Sequence, residues 1–470
     1  MYRIFFKTIS FLLLLVYFTF LGCKNELDYD LASSFVGISS DSILFDTIIS
    51  PKRSQTYKLM IYNKQDIDVE IPKIYLEKGN ISLYKLNVNG IAASEVKNIA
   101  LRKNDSLFVF VEIASDNSQA HESVYEDNII IQTLAGVQKV NLTSFIENAN
   151  YHYPSGDDYE LEITTDQVWN ASKSHVIYKT VRFTNNSKLT VLEGTKIYFH
   201  ENSNLVFDSG AELIVNGSVA KKVIFRSDQH TFPYELLPDQ WNSIEIKKNS
   251  SAKIENAIII GGKTGLRTNE ANITLTNVQL YNHSLHGIFS TNSTIVGKNV
   301  VINNCGNLAL RILQGGDYQF YHSTFANFWK FTASSSTASV YISNRFFIDD
   351  IFDNKPLTRC FFGNCIIDGA TKKSLYIDEN FDQTIPFEYN FDNNLIKNTS
   401  NPSEVTLNPF ITNSIVNGKS DFTETSYDKN NLRLNTSSDA INKGKLEYTN
   451  FMPTNIEGST RNSPANLGAY

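Results

Sequence analysis

The sequence predicts an all-β protein in two parts, a β-sandwich followed by a solenoid of parallel strands. Three observations predict it. Tyr (23) and Phe (31) are plentiful in 470 residues, whereas Pro (11) and Met (3) are few; aromatic and β-branched residues beside frequent Asn favour strands and turns. Between residues 37 and 148 apolar and polar residues alternate with period two, the pattern of half-buried strands. From about residue 161, short apolar runs recur every 21 to 23 residues, a period typical of repeat architectures. A chain 41% hydrophobic and 19% charged is too apolar for disorder and long enough for two or three cores. Its 42 Lys and Arg stand against 49 Asp and Glu with no strongly basic stretch, which excludes a nucleic-acid binder.

The chain opens on a targeting segment. Arg3 and Lys7 precede the apolar stretch Phe11–Phe18, which leads to Leu21-Gly22-Cys23. A basic region, a short apolar core and a small residue at the cut are the layout of a secretory signal, and the run is short for a membrane span. Phe20-Leu21-Gly22-Cys23 resembles a bacterial lipobox. The resemblance implies that residues 1–22 are a lipoprotein signal peptide and that Cys23 is lipidated, its acyl chains (palmitate among them) holding the protein on a membrane. Lys24, rather than Asp, after the cysteine implies the outer membrane. Glu26, Asp28 and Asp30 are similar to surface-export signals of gram-negative lipoproteins, so residues 23–36 read as a tether at the cell surface. Cys305, Cys360 and Cys365 then remain, too few for a disulfide framework, and read as buried small hydrophobes. No His or Cys pair has zinc-like spacing, so neither a metal nor another cofactor is expected.

Residues 37–148 are the expected sandwich. Thr56–Ile61 leads into the turn Asn63-Lys64-Gln65-Asp66, after which Ile67, Val69 and Ile71 resume the alternation. Leu107, Val109, Val111 and Ile113 share one face of a strand that follows the turn Lys103-Asn104-Asp105. The segments Asp41–Thr47 and Asn104–Val109 resemble immunoglobulin-like domains at the start of bacterial surface lipoproteins. Residues 149–160, with Asn150, His152, Pro154 and Gly156, read as a linker.

Residues 161–470 are the repeat region with its C-terminal cap. Asn256, Asn277, Asn299 and then His322 stand 21, 22 and 23 residues apart. Gly265-Leu266-Arg267, Gly287-Ile288-Phe289 and Ala309-Leu310-Arg311 stand at strict spacings of 22. Leucine-rich repeats have a similar length, but their Leu spacing is absent. A right-handed parallel β-helix fits better: alternate side chains of short strands fill the interior, and an Asn at each bend adopts the left-handed conformation and stacks its amide on the next coil. Residues 185–230, Asp239–Ile244, His322–Trp329, Leu432-Arg433-Leu434, Asp439–Gly444 and the ending from Gly458 to Tyr470 resemble right-handed β-helix repeat lipoproteins of gram-negative bacteria. The family has Asp where this chain has Asn442 and Asn466, which argues against a metal there. The resemblance implies a fold and a location, and no activity.

Right-handed β-helices include polysaccharide lyases and glycoside hydrolases, so both were sought. The motifs of polygalacturonase-type hydrolases are incomplete: Asp349-Asp350 is present, but Arg311-Ile312-Leu313 precedes it and Leu285 breaks the Gly-His-Gly pattern at His286-Gly287. A lyase needs a base with charged partners, and Asp317, His322, Lys330 and Arg345 lie in one stretch. His322, however, holds an Asn bend position, and Lys330 within Phe328-Trp329-Lys330-Phe331 suits a snorkelling surface lysine. Fold analogy carries no activity, so the sequence favours non-enzymatic binding or adhesion, with a lyase or hydrolase as the alternative.

The binding candidates follow from strand alternation. Leu266, Ile288 and Leu310 face in, whereas Arg267, Phe289 and Arg311 face out; Val340 and Tyr341 continue both columns after an irregular insertion. Guanidinium groups bind acidic groups and aromatic faces stack on sugar rings, so the outward column reads as a platform for a polysaccharide or a surface-protein ligand. Its alternative is a purely structural stack of cations and rings. Insertions at 331–350 and 371–388 break the period and are expected to project from one side.

Overall fold

A computed structural model describes residues 29–116, 121–331, 338–348, 351–379 and 384–470. Cys23 and its leader, and Asp349-Asp350, lie outside the described residues. The chain divides into two compact units: one holds residues 29–48, Lys52–Asp116 and Val124–Phe145, the other Ile49–Pro51, residues 121–123 and Ile146–Tyr470. Both are nearly all β; among the described residues the α-helices are Ser403–Thr406 and Leu446–Phe451.

The first unit contains a five-stranded antiparallel sheet in the order Gly37–Ile38, Tyr57–Tyr62, Ser106–Ile113, Tyr84–Val88 and Ile91–Ala92. Alternation does what the sequence implies, burying Leu59, Ile61, Leu107, Val109, Val111 and Ile113. In a second group of strands, Val69–Leu76 pairs antiparallel with Glu95–Leu101 and with Ile129–Gln132. Tyr84 joins the two buried rows, its ring 5.1 Å from Phe45 and 5.6 Å from Tyr125.

The second unit is built from three parallel ladders. The first runs through Glu160–Ile163, Thr180–Phe183, Asn204–Phe207, Ser243–Ile246, Thr264–Asn269, the starts of His286–Lys298 and Leu308–Tyr321, Val340–Ser343 and Leu375–Asp378. The second runs from Gln167–Trp169 to Ile411–Thr412. The third runs from Ala149–His152 to Ile415–Val416, so it opens inside the stretch that the sequence suggests as a linker. Inside the first ladder one register row reads Val181, Leu205, Ile244, Leu266, Ile288, Leu310 and Val340, every one fully buried. Such a side chain contributes about 1.5–3 kcal/mol by leaving water. The residues before Leu266 and Ile288 must be small: a Cβ on Gly265 would lie 2.8 Å from the Gly287 carbonyl, and one on Gly287 2.3 Å from Ile302.

The bends explain the Asn columns. Asn256, Asn277, Asn299, His322, Asn364 and Asn393 all have φ between 46° and 60°, a region where Asn is tolerated better than most residues. Asn277 donates its amide to Asn256 at 2.9 Å, and Asn299 donates to Asn277 at 2.8 Å. The C-terminal segment covers the outer side of the third ladder: Leu432, Ile456 and Ala469 pack on Tyr281, Val301 and Ala326. Asn430 there accepts the amides of Asn303 and Asn304 and donates to Asn282.

The two expected insertions are only partly loops. Val340–Ser343 and Leu375–Asp378 are rungs of the first ladder. What departs from the ladder is the antiparallel hairpin of Arg345–Ile348 and Ile351–Asn354. Val340 and Tyr341 continue the two columns, as the sequence suggests, with Val340 opposite Leu310 and Tyr341 opposite Arg311; Leu375–Asp378, a short strand flanked by irregular segments, carries no repeat signal of its own.

Candidate functional site

The outward row of the first ladder is the candidate site. Ladder pairing places Glu162, Arg182, Val206, Glu245, Arg267, Phe289, Arg311, Tyr341 and Tyr376 in one register, a residue per rung. Rungs are about 4.8 Å apart, so side chains of successive rungs touch. Arg267 and Arg311 flank Phe289, with guanidinium carbons 5.4 Å and 5.5 Å from the ring centroid. That geometry corrects one expectation. Both faces of Phe289 are covered by guanidinium groups, so the ring offers its outer edge and not a face on which a sugar could stack. The ring acts as a spacer between two cations.

The two arginines lack what their neighbours have. Arg182 donates from Nε and Nη2 to Glu160 at 2.7 Å and 2.8 Å and from Nη1 to Asp208 at 3.0 Å. Arg345 donates to Asp378 at 2.5 Å, and Arg359 makes a two-pronged pair with Asp317 at 2.9 Å and 2.7 Å. Among the described residues, no carboxylate is ion-paired with Arg267 or Arg311. Glu245, one rung before Arg267, instead accepts the hydroxyl of Ser243. Arg267 is exposed; Arg311 is half-buried, its Nε is buried without a hydrogen-bond partner, and burial lowers its pKa below the usual arginine value.

His286, which sequence reasoning left unused, completes this cluster. It stacks on Phe289 with centroids 5.4 Å apart, and its Nε2 lies 3.5 Å from Nη1 of Arg311. Burial first, then Arg311 and Arg267, push its pKa down to about 3, so the imidazole is neutral and accepts the Arg311 N–H. The only sequence signal for it is its place two residues before Ile288.

Two clefts open along the row. One, of about 450 Å³, is lined by Glu245, Lys247, Arg267, Asn269, Phe289 and Phe346 among others. The second, of about 340 Å³, is lined by Asn307, Leu308, Arg311, Ala338, Tyr341 and Tyr376. Phe346 comes from the projecting hairpin, so that hairpin forms a wall of the first cleft. Tyr341 donates its hydroxyl to Asp378, and burial and that carboxylate raise its pKa to about 12.

The catalytic candidates are not brought together by any hydrogen bond or ion pair among the described residues. Asp317 is held by Arg359 and Arg345 by Asp378. His322 is buried at an Asn bend position, 2.9 Å from the Asn364 amide and 3.1 Å from the Thr449 hydroxyl. Burial, then Arg461, lower its pKa to about 3. Lys330 is exposed. Cys305, Cys360 and Cys365 are free and buried, and burial raises all three thiol pKa values. One group of metal-ligand type, His121, Glu122 and Glu147, holds the Lys196 ammonium, 2.5 Å from Glu122 and 3.6 Å from Glu147. Among the described residues no helix is long and apolar enough to cross a membrane.

No family model and no curated protein matches the chain. Among solved structures it is similar to the PapD-like domain 7 of human CEP192, at 13% identity and a TM-score of 0.18, over 27% of this chain and 94% of that one. It is also similar to a family 123 glycoside hydrolase from Clostridium perfringens, described for glycolipid glycan hydrolysis, at 12% identity and a TM-score of 0.20, over 29% of this chain and 30% of that one. Likenesses this distant say nothing of what the chain does.

Proposed function

We propose that the protein is a non-enzymatic glycan-binding protein of the cell surface, lipid-anchored in the outer membrane through Cys23. In this reading an immunoglobulin-like sandwich carries a right-handed parallel β-helix, and the β-helix binds acidic glycan. The fold reading is supported by ladders in which each strand pairs in parallel with one about a repeat downstream. The function rests on one observation: Arg267 and Arg311 are held against Phe289 from the rungs on either side of it, with no carboxylate ion-paired to either among the described residues, while Arg182 in the same row is neutralised by two. Unpaired guanidinium groups beside open clefts are ready partners for carboxylates or sulfates. A lyase or hydrolase has less support, because Asp317 and Arg345 are committed to ion pairs and His322 is buried.

The test is binding of soluble acidic polysaccharides, uronate-rich and sulfated, at low and at physiological salt. Binding should weaken with salt, since exposed contacts are screened, and should fall in Arg267→Ala and Arg311→Ala. No binding to any acidic polymer overturns the reading. The anchor has its own test: Cys23→Ser should leave the membrane fraction, and a variant that fractionates like the wild type refutes lipidation.

A further inference from the structure

We infer that this site reads the spacing of charge along a linear glycan: an acidic sugar at Arg267, a neutral sugar at the edge of Phe289, and a second acidic sugar at Arg311. The inference rests on the glycan-binding reading above and specifies the ligand. Arg267 pairs in register with Phe289, and Phe289 with Arg311, so the two cations stand two rungs, about 10 Å, apart along the ladder axis. Phe289 cannot let them approach: each guanidinium rests on one face of the ring. On the far side, His286 accepts from Arg311 Nη1 and helps fix where that fork points. The repeat of an extended pyranose chain is close to one rung, so a glycan lying across the strands would bring every second sugar to a guanidinium. The middle sugar meets an aromatic edge, which has no hydrogen-bond donor, so an acidic group there makes a two-pronged contact with neither guanidinium. The two clefts have no lining residue in common: Phe289 lines the first with Arg267, and Arg311 lines the second. A ligand that meets both guanidinium groups therefore passes the edge of the ring that stands between them.

The experiment uses two trisaccharides of equal size drawn from an alternating polymer of uronate and N-acetylhexosamine. One has uronates at both ends, the other a single uronate in the middle. Titrated at low salt, the first should bind about tenfold or more tighter, because the second contact is made within an already bound molecule. Arg311→Ala should erase most of that difference, and Arg267→Lys, which keeps charge but loses the planar fork, should reduce it in part. Melting temperatures of both variants separate lost contacts from lost fold. Equal affinities for the two trisaccharides, or a difference that survives Arg311→Ala, overturn the spacing while leaving acidic-glycan binding intact. Failure of every acidic polymer to bind overturns both.

Discussion

At Arg182 and at Arg311 the same outward row of the same ladder handles an arginine in opposite ways. Arg182 is locked by Glu160 one rung earlier and by Asp208 just past the next strand; the hydrogen bonds to Glu160, with the charges of both carboxylates, raise its pKa. Arg311 has an aromatic ring on one side, a neutral histidine nearby and an open cleft, and burial lowers its pKa. Neutralised charge stabilises a scaffold. Half-buried charge without a counterion is a cost that a ladder has no structural reason to keep, since a carboxylate one rung away removes it elsewhere in this row. The difference separates a neutralised stretch of the row from an unneutralised one, and the proposed function assigns binding to the second.

The largest effect should come from beneath the unpaired stretch. Ile288 is fully buried between Leu266 and Leu310 in the inner row. Ile288→Asp should cost more than about 4 kcal/mol and unfold the coils that carry Arg267 and Arg311, because the carboxylate finds no partner there. Ile288→Leu keeps the volume and should cost less than about 1.5 kcal/mol. Denaturant melts of the two variants decide it; near-equal stabilities would mean that the inner row is not the core of this stretch.

The next effect is a pH dependence that sits in the unpaired stretch. His286 has a folded pKa of about 3 against about 6.5 when unfolded. A lowered histidine pKa means that the unfolded chain binds the extra proton, so its contribution is fully present above about pH 6.5 and is lost as pH falls toward 3. One proton changes stability by about 1.4 kcal/mol per pH unit, hence about 2 kcal/mol between pH 6.5 and 5. His286→Gln should flatten the stability curve in that window by about this amount. An unchanged slope would show that His286 charges in the folded state without penalty.

How much of this was legible in the sequence depends on coil length. Two successive repeats of 22 residues without insertions put Leu266, Ile288 and Leu310 on one row and Arg267, Phe289 and Arg311 on the other, so counting alone locates both rows. His322 was readable as a bend residue for the same reason, and its φ of 46° matches its Asn neighbours. Tyr376 was not readable, because a hairpin and two rungs of other ladders separate it from Tyr341 and the 22-residue period is lost. Nor was the pairing of Arg182, which takes Glu160 at a separation of 22 but Asp208 at 26. The orientation of Phe289 was misjudged because a sequence names the neighbours of a ring and not which of its surfaces they occupy. Only the rung spacing, with a cation above and below, shows that both faces are taken.

A carboxylate placed between the two cations should give the open stretch an internal counterion. Phe289→Glu exchanges two cation–π contacts for ion pairs with Arg267 and Arg311, the inverse of the arrangement in which Glu160 and Asp208 flank Arg182. Binding of acidic polysaccharide should fall by about tenfold or more, or about 1.4 kcal/mol, while the protein stays folded. Binding retained at wild-type strength in this variant would place the ligand elsewhere on the molecule.

The smallest effect is the cleanest test of the comparison, because it asks only for a difference between two identical substitutions. Arg182→Ala leaves Glu160 and Asp208 without their shared cation and removes three hydrogen bonds from a side chain only 19% exposed. Arg267→Ala removes an exposed side chain that rests on the ring of Phe289 and, among the described residues, has no ion pair. Exposed cation–π contacts contribute about 0.5–1 kcal/mol, and charge-assisted hydrogen bonds about 1.5–3 kcal/mol. Arg182→Ala should therefore be the more destabilising by about 1 kcal/mol, and Arg267→Ala should change glycan binding far more than stability. The rungs are alike in geometry, so the gap reports the missing carboxylates and nothing else about the fold. If Arg267→Ala destabilises the protein as much as Arg182→Ala does and leaves binding untouched, the unpaired arginines are part of the stack that joins the coils, and the two stretches do the same work.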